Sequence, residues 1–234
     1  MKSVVSTALG LVGFAFALPA PEVIRVLPTN WQYNISSLKG PGCPDFGADT
    51  QTAYATRLTY GQNTMDGSEI YYWFVAYPYL RVNLDEEDHV WCETELSYIE
   101  FKDLDGKIKG DDYKLRLHKN GTRVIATYDL DEGVKATFKF TYDTGDDEII
   151  DTVVWKGPLA SGQYQKEDSS PNPQSPEMYK LPKCGEGKIK FRTDLYISGR
   201  EGKFGYVASE TTNGQYYGIQ QGFSYDWEKC KDVS

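Results

Sequence analysis

Between residues 134 and 142 apolar side chains fall at every second position. Val134, Ala136, Phe138, Phe140 and Tyr142 alternate with Lys135, Thr137, Lys139 and Thr141. Successive side chains of a strand point to opposite faces, so this period of two puts the apolar set on one face. The pattern recurs where Tyr113, Leu115 and Leu117 alternate with Lys114, Arg116 and His118, and where Ile189, Phe191, Leu195 and Ile197 alternate with Lys190, Arg192, Asp194 and Ser198. Phe223, Tyr225 and Trp227 repeat it near the end. Further strands are predicted over 51–60, 69–77, 90–101, 123–128, 148–155 and 203–209, separated by turn signals such as Asp66-Gly67 and Asn213-Gly214. Nothing after residue 17 sustains a 3.6-residue apolar stripe. The reading is therefore all-β, an antiparallel β-sandwich or jelly roll of about ten strands, with a closed barrel as the open alternative. From Gly157 to Lys183 the pattern lapses. The prolines of Ser169-Ser170-Pro171-Asn172-Pro173-Gln174-Ser175-Pro176 forbid ladder hydrogen bonds, which predicts a connecting loop.

The segment 69–77 is unusual in carrying large rings on both faces. Tyr71, Trp73, Val75 and Tyr77 share one face, and Tyr72, Phe74 and Ala76 the other. One face fills the core. The second is either covered by a loop or exposes an aromatic strip that stacks on sugar rings or anchors a protein. Tyr71, Trp73 and Tyr77 are the candidate partner-binding aromatics.

The two ends of the chain assign a compartment. Lys2, the apolar run Val4 to Phe16 and the small-x-small site Ala15-Phe16-Ala17 read as a signal peptide over residues 1–17, leaving a single secreted β-rich domain over 18–234. The run is too short for the roughly 20 residues that cross a bilayer, so no membrane anchor is expected. A formal net charge of −9, with acidic clusters at Asp85-Glu86-Glu87-Asp88 and Asp146-Asp147-Glu148, disfavours nucleic acid and anionic lipid as partners.

Four cysteines in an oxidising compartment are expected to pair, and sequence permits three connectivities. Cys43–Cys92 with Cys184–Cys230 is preferred, because each bridge then closes a loop of about 50 residues within one half of the chain, worth on the order of 4 kcal/mol. There is no Cys-x-x-Cys pair to suggest redox chemistry. The sequons Asn34-Ile35-Ser36 and Asn120-Gly121-Thr122 make Asn34 and Asn120 glycan acceptors if exposed, and Asn120-Gly121 also reads as a hairpin turn.

Gly40-Pro41-Gly42-Cys43-Pro44, Cys92 entering a long strand, Gly133-Val134-Lys135-Ala136-Thr137, the Gly157-Pro158 to Tyr164 stretch, Cys184 before an alternating strand and the terminal Trp227-Glu228-Lys229-Cys230 occur in an order that resembles a family of small secreted, mostly fungal proteins, domain of unknown function 4360. The resemblance spans nearly all of residues 18–234. It implies an extracellular, disulfide-bonded β-rich domain and supplies no catalytic residues. This chain departs from it after Cys92, where Tyr98-Ile99-Glu100-Phe101-Lys102-Asp103 replaces the family's tyrosine-rich stretch.

Catalytic signatures are missing: no Gly-x-Ser-x-Gly elbow, no His-Glu-x-x-His, no glycine-rich phosphate loop. The two histidines, His89 and His118, are too few for a zinc site and read as surface residues. Glu93 and Glu95 alternate outward after Cys92, where paired carboxylates could serve a glycosidase, although solvated side chains are the simpler expectation. Asp103-Leu104-Asp105-Gly106 and Asp129-Leu130-Asp131-Glu132-Gly133 lack the calcium-loop spacing and read as turns. No cofactor, metal or catalytic residue is assigned. The favoured function is non-catalytic binding of an extracellular partner, a cell-wall glycan or a host protein, with a possible effector role by analogy. A carbohydrate-active enzyme using two carboxylates and a structural surface protein are the alternatives.

Overall fold

The alternation becomes two packed antiparallel sheets. The computed structural model describes residues 23–24, 30–44, 55–61, 72–143, 148–168, 183–212 and 215–230. In chain order the strands are β1 (Val23–Ile24), β2 (Asn30–Lys39), β3 (Arg57–Gly61), β4 (Tyr72–Tyr77) and β5 (Val82–Asn83). Then follow β6 (His89–Phe101), β7 (Tyr113–Leu130), β8 (Lys135–Asp143), β9 (Glu148–Lys156) and β10 (Leu159–Asp168). The last are β11 (Glu186–Ser198), β12 (Gly205–Ala208), β13 (Glu210–Thr212) and β14 (Gln215–Lys229). Among the described residues there is no helix, and hence none long and apolar enough to cross a membrane.

One sheet has five strands in the order β2-β6-β11-β8-β9. The other has nine, with the path β3-β4-β14-β7-β12-β5, β1 and β13 on β14, and β10 on β7. Their inner faces interdigitate. Val90, Leu96, Phe138, Phe140, Phe191 and Leu195 from the smaller sheet meet Val75, Tyr77, Leu115, Val124, Ile219 and Phe223 from the larger, all buried. A line of hydrogen bonds crosses this core: Thr193 donates to Gln221, Gln221 to Tyr142 and Thr122 to Asp151. Because the Thr122 proton is committed to Asp151, the 2.5 Å contact to Tyr142 leaves the tyrosine as donor. Every donor thus points toward Asp151. Burial and the Asp151 charge hold the Tyr142 phenol protonated, well above its ordinary value.

Both preferred disulfides are formed. Cys43–Cys92 ties the chain beyond β2 to β6 within the small sheet, and Cys184–Cys230 ties the start of β11 to the end of β14, joining the sheets.

Three expectations need correction. The strands number fourteen among the described residues, not about ten. Residues 159–168, expected to be irregular, form β10, an edge strand paired only with β7 among the described residues, which is why it needs little apolar alternation. Asn120-Gly121 is not a hairpin turn but lies inside β7. There Phe223 faces Thr122 and Tyr225 faces Leu117, so β7 advances five residues while β14 advances two. The turn-forming pair marks an excursion of one strand rather than its end. The signal-peptide segment, the Asp66-Gly67 and Asn213-Gly214 turns and the Pro-rich stretch fall outside the described residues.

Candidate functional site

The pairing of β6 with β11 assembles a polar cluster that alternation alone could not reveal. Val90, Cys92, Thr94, Leu96 and Tyr98 point inward, which turns His89, Trp91, Glu93 and Glu95 to the outer face of the five-stranded sheet. Antiparallel register sets His89 opposite Tyr196, Trp91 opposite Asp194, Glu93 opposite Arg192 and Glu95 opposite Lys190.

Asp194 is the centre. It is only 3% exposed. Arg192 grips it with two bonds, Nε to Oδ2 at 2.9 Å and Nη2 to Oδ1 at 3.0 Å. His89 Nε2 lies 2.9 Å from Oδ1, and the Tyr196 hydroxyl donates to the same oxygen at 3.3 Å. Burial alone would raise the carboxyl, but the bonds from Arg192 and His89 outweigh it and hold Asp194 below the ordinary carboxylate range. The same bond raises Arg192. Burial, with the Asp194 charge added, raises the Tyr196 phenol.

Rings frame the cluster. His89 and Tyr196 stack with centroids 4.1 Å apart. The Arg192 guanidinium lies 4.2 Å from the centroid of Trp91, a cation–π contact. Gly40, at the end of β2, closes against the same indole; its φ of +123° favours glycine, and a Cβ there would fall 2.7 Å from Cε3 of the ring. Trp91 is therefore clamped. Toward the β2 edge, Glu95 accepts from Lys188 at 2.7 Å and from Ser36 at 2.8 Å. The Lys188 bond is the main reason its carboxyl is lowered.

Asp194 and Glu95 are held below the ordinary carboxylate range, and His89 is bound to Asp194 through Nε2. No hydroxyl or thiol of the described residues hydrogen-bonds His89 in place of a nucleophile. What the face offers is a guanidinium and a phenol both bonded to Asp194, with partly exposed rings beside them.

The residues predicted from sequence are distributed differently. Tyr77 is fully buried and its hydroxyl lies 3.1 Å from Thr94, so it is a core residue and cannot meet a partner. The other face of β4 is covered too, with Phe74 and Ala76 buried. Trp73 lies in β4 at a position whose side chain is not described, and Tyr71 is outside the described residues. Asn34 is exposed on the edge strand β2. Asn120 and His118 lie in β7 with side chains not described. Glu93 and Glu95 do face outward, but each is tied to a cation, Arg192 and Lys188. Asp103 accepts from the backbone of Lys107 and Ile108, the turn chemistry expected of it. Sequence reading missed Arg192, Asp194 and Tyr196. Their spacing of two on one strand placed them on one face; the register that brings His89 to them was not legible.

No protein-family model matches the chain, and no curated protein does. Among solved structures it is similar to TmCBM61 in complex with β-1,4-galactotriose, at 14% identity and a TM-score of 0.23, covering 85% of this chain and 88% of that one. It is also similar to the enzymatically active domain of tailspike protein 4 of bacteriophage CBA120, at 11% identity and a TM-score of 0.23, covering 84% of this chain and 20% of that one. A third likeness is to a structure of carbohydrate-binding modules from the β-sandwich superfamily, at 9% identity and a TM-score of 0.26, covering 78% and 56%. Likenesses this distant carry no argument about function.

Proposed function

We propose that this protein is an exported, non-catalytic binding module that holds an extracellular glycan on the outer face of its five-stranded sheet. The observation that supports this is the buried Asp194 carboxylate, which holds Arg192, His89 and Tyr196 as one preorganised set on the outer face of the sheet. Binding groups fixed in advance lose little entropy when a ligand arrives. Protein partners usually need a fully buried apolar centre, whereas the exposed large apolar side chains of this face are Ile150 and Tyr196, separated by β8. Hydroxyl groups suit it better. Guanidinium and carboxylate groups bond them, and ring faces or edges pack on their C–H surfaces.

Export is part of the proposal and rests on the signal-peptide pattern together with two disulfides. So does kinship with domain of unknown function 4360, which rests on the order of the cysteine motifs. Secretion places a mature N-terminus near Leu18 in the culture medium. Intact-mass measurement before and after enzymatic deglycosylation reads that cleavage and glycan attachment at Asn34 together.

The binding reading is tested by affinity electrophoresis against a panel of wall polysaccharides, with release of reducing ends measured in parallel. Wild-type protein is expected to be retarded by at least one polymer without releasing ends, and Tyr196→Ala to lose most of that retardation while keeping its far-UV spectrum. Release of ends that disappears in Glu93→Gln or Glu95→Gln would replace this reading with an enzymatic one.

A further inference from the structure

The outer face of the five-stranded sheet carries an imbalance that its own side chains leave uncompensated. Lys135 of β8 stands directly opposite Lys156 of β9, both exposed. Like charges directly opposite across a ladder are destabilising. Two residues further along β8 than Thr137, Lys139 lies beside Asp194, but that carboxylate is already occupied by Arg192 and His89. Lys188, Lys190 and Arg192 each find a carboxylate, at Glu95 or Glu93 and Asp194. Lys135, Lys139 and Lys156 pair with none of the described residues. In a chain with 34 acidic and 25 basic side chains, three unneutralised lysines on one face stand out.

Acidic groups bound this strip. The exposed turn Asp85–Asp88 lies beyond β11, where the Asp88 carbonyl accepts from Ile197, and Asp143 faces Glu148 at the far end of the β8–β9 ribbon. The ribbon is therefore polarised, with lysines opposed at one end and carboxylates at the other. A flexible anion is repelled from both acidic borders and held over the strip from Lys156 to Lys139, where the two lysines of β8 are roughly 14 Å apart.

We propose that the glycan held on this face is anionic, a polysaccharide bearing carboxylate or sulfate groups, and that Lys135, Lys139 and Lys156 bind those groups beside the Arg192–Asp194 cluster. This rests on the glycan reading above and narrows it to a substrate class. The lysines supply charge without fixed geometry, and the neighbouring cluster supplies geometry without net charge.

The test uses polygalacturonate, dextran sulfate, uncharged dextran and a single-stranded DNA oligonucleotide as probes, with the full chain and a Lys135→Gln/Lys139→Gln/Lys156→Gln variant. Wild-type protein is expected to bind polygalacturonate or dextran sulfate, with affinity falling about tenfold or more between about 50 and 300 mM salt as screening shortens. The variant is expected to lose about tenfold in that affinity while its urea midpoint stays the same or rises, because a like-charge pair has been removed. The carboxylate and sulfate arms decide which group is read. Salt-insensitive binding of dextran, equal in wild type and variant, would overturn the anionic assignment and leave the glycan reading standing. DNA binding as tight as either polysaccharide would overturn the assignment to carbohydrate. Absence of binding to every polysaccharide on this and the wall panel would overturn both.

Discussion

Asp194 and Glu100 are carboxylates with almost no solvent contact, at 3% and 0% exposure, on neighbouring strands of the same sheet. The fold treats them in opposite ways. Asp194 faces outward and is met by a bidentate arginine, a histidine and a phenol. Glu100 points into the sandwich, where its Oε2 accepts from the backbone of Tyr113 and its Oε1 has no partner among the described residues. Gly110 makes room for it, since a Cβ there would fall 2.7 Å from the carboxyl carbon. Burial raises the Glu100 carboxyl above its ordinary range; the Tyr113 bond opposes this, and the charges of Asp112 and Asp111 add to the rise. The difference shows how partners set a buried carboxyl: a bidentate guanidinium and an imidazole lower Asp194 against its burial, whereas the backbone amides of Tyr113 and Asp112 do not offset the burial of Glu100.

The sharpest way to break the contrast is to remove the arginine. Arg192→Ala leaves Asp194 buried with weaker partners and is expected to destabilise the fold by about 2 kcal/mol, less than the ~3–5 kcal/mol of a fully buried pair because Arg192 is about a third exposed. Urea unfolding at neutral pH measures it. Next comes Glu100→Gln, which removes a charge that has no charged partner. It is expected to stabilise the protein by about 1 kcal/mol at pH 8 and to do little at pH 4; destabilisation at pH 8 would mean that Glu100 has a compensating partner.

A pH series sharpens the comparison further. Asp194 is depressed, so its stabilisation is present above the ordinary carboxylate value of about 3.9 and is lost as pH falls through its lower folded value. Glu100 is raised, so its contribution is present below about 4.3 and is lost as pH rises through its higher folded value. Arg192→Ala should flatten the acid limb of stability against pH, and Glu100→Gln the limb above it. The smallest effect is expected for Lys188→Ala, a few tenths of a kcal/mol, because its partner Glu95 lies at the surface.

Much of the architecture was written in the period of two. The apolar positions of β6, β8 and β11 fall on the inner face as the sequence predicts, because one-sided burial enforces that alternation. The cysteine pairing was legible from loop length. β10 was not, since an edge strand needs little apolar alternation. In the aromatic strand β4, which lies between β3 and β14, the burial of Phe74, Ala76 and Tyr77 makes Tyr77 a core residue, while the Trp73 side chain and Tyr71 lie outside what is described. The candidate site was illegible as a whole. Arg192 and Asp194 announce a shared face, but only the pairing of β6 with β11 brings His89 and Trp91 to them.

The most direct test of the central claim is to map the bound ligand by backbone amide chemical shifts during titration with oligogalacturonate. The account predicts shifts concentrated at residues 89–95 of β6, 190–196 of β11 and the Lys135–Lys139 half of β8, all saturating with one affinity. Shifts confined to the nine-stranded sheet, with β6 and β11 unmoved at saturation, would contradict it.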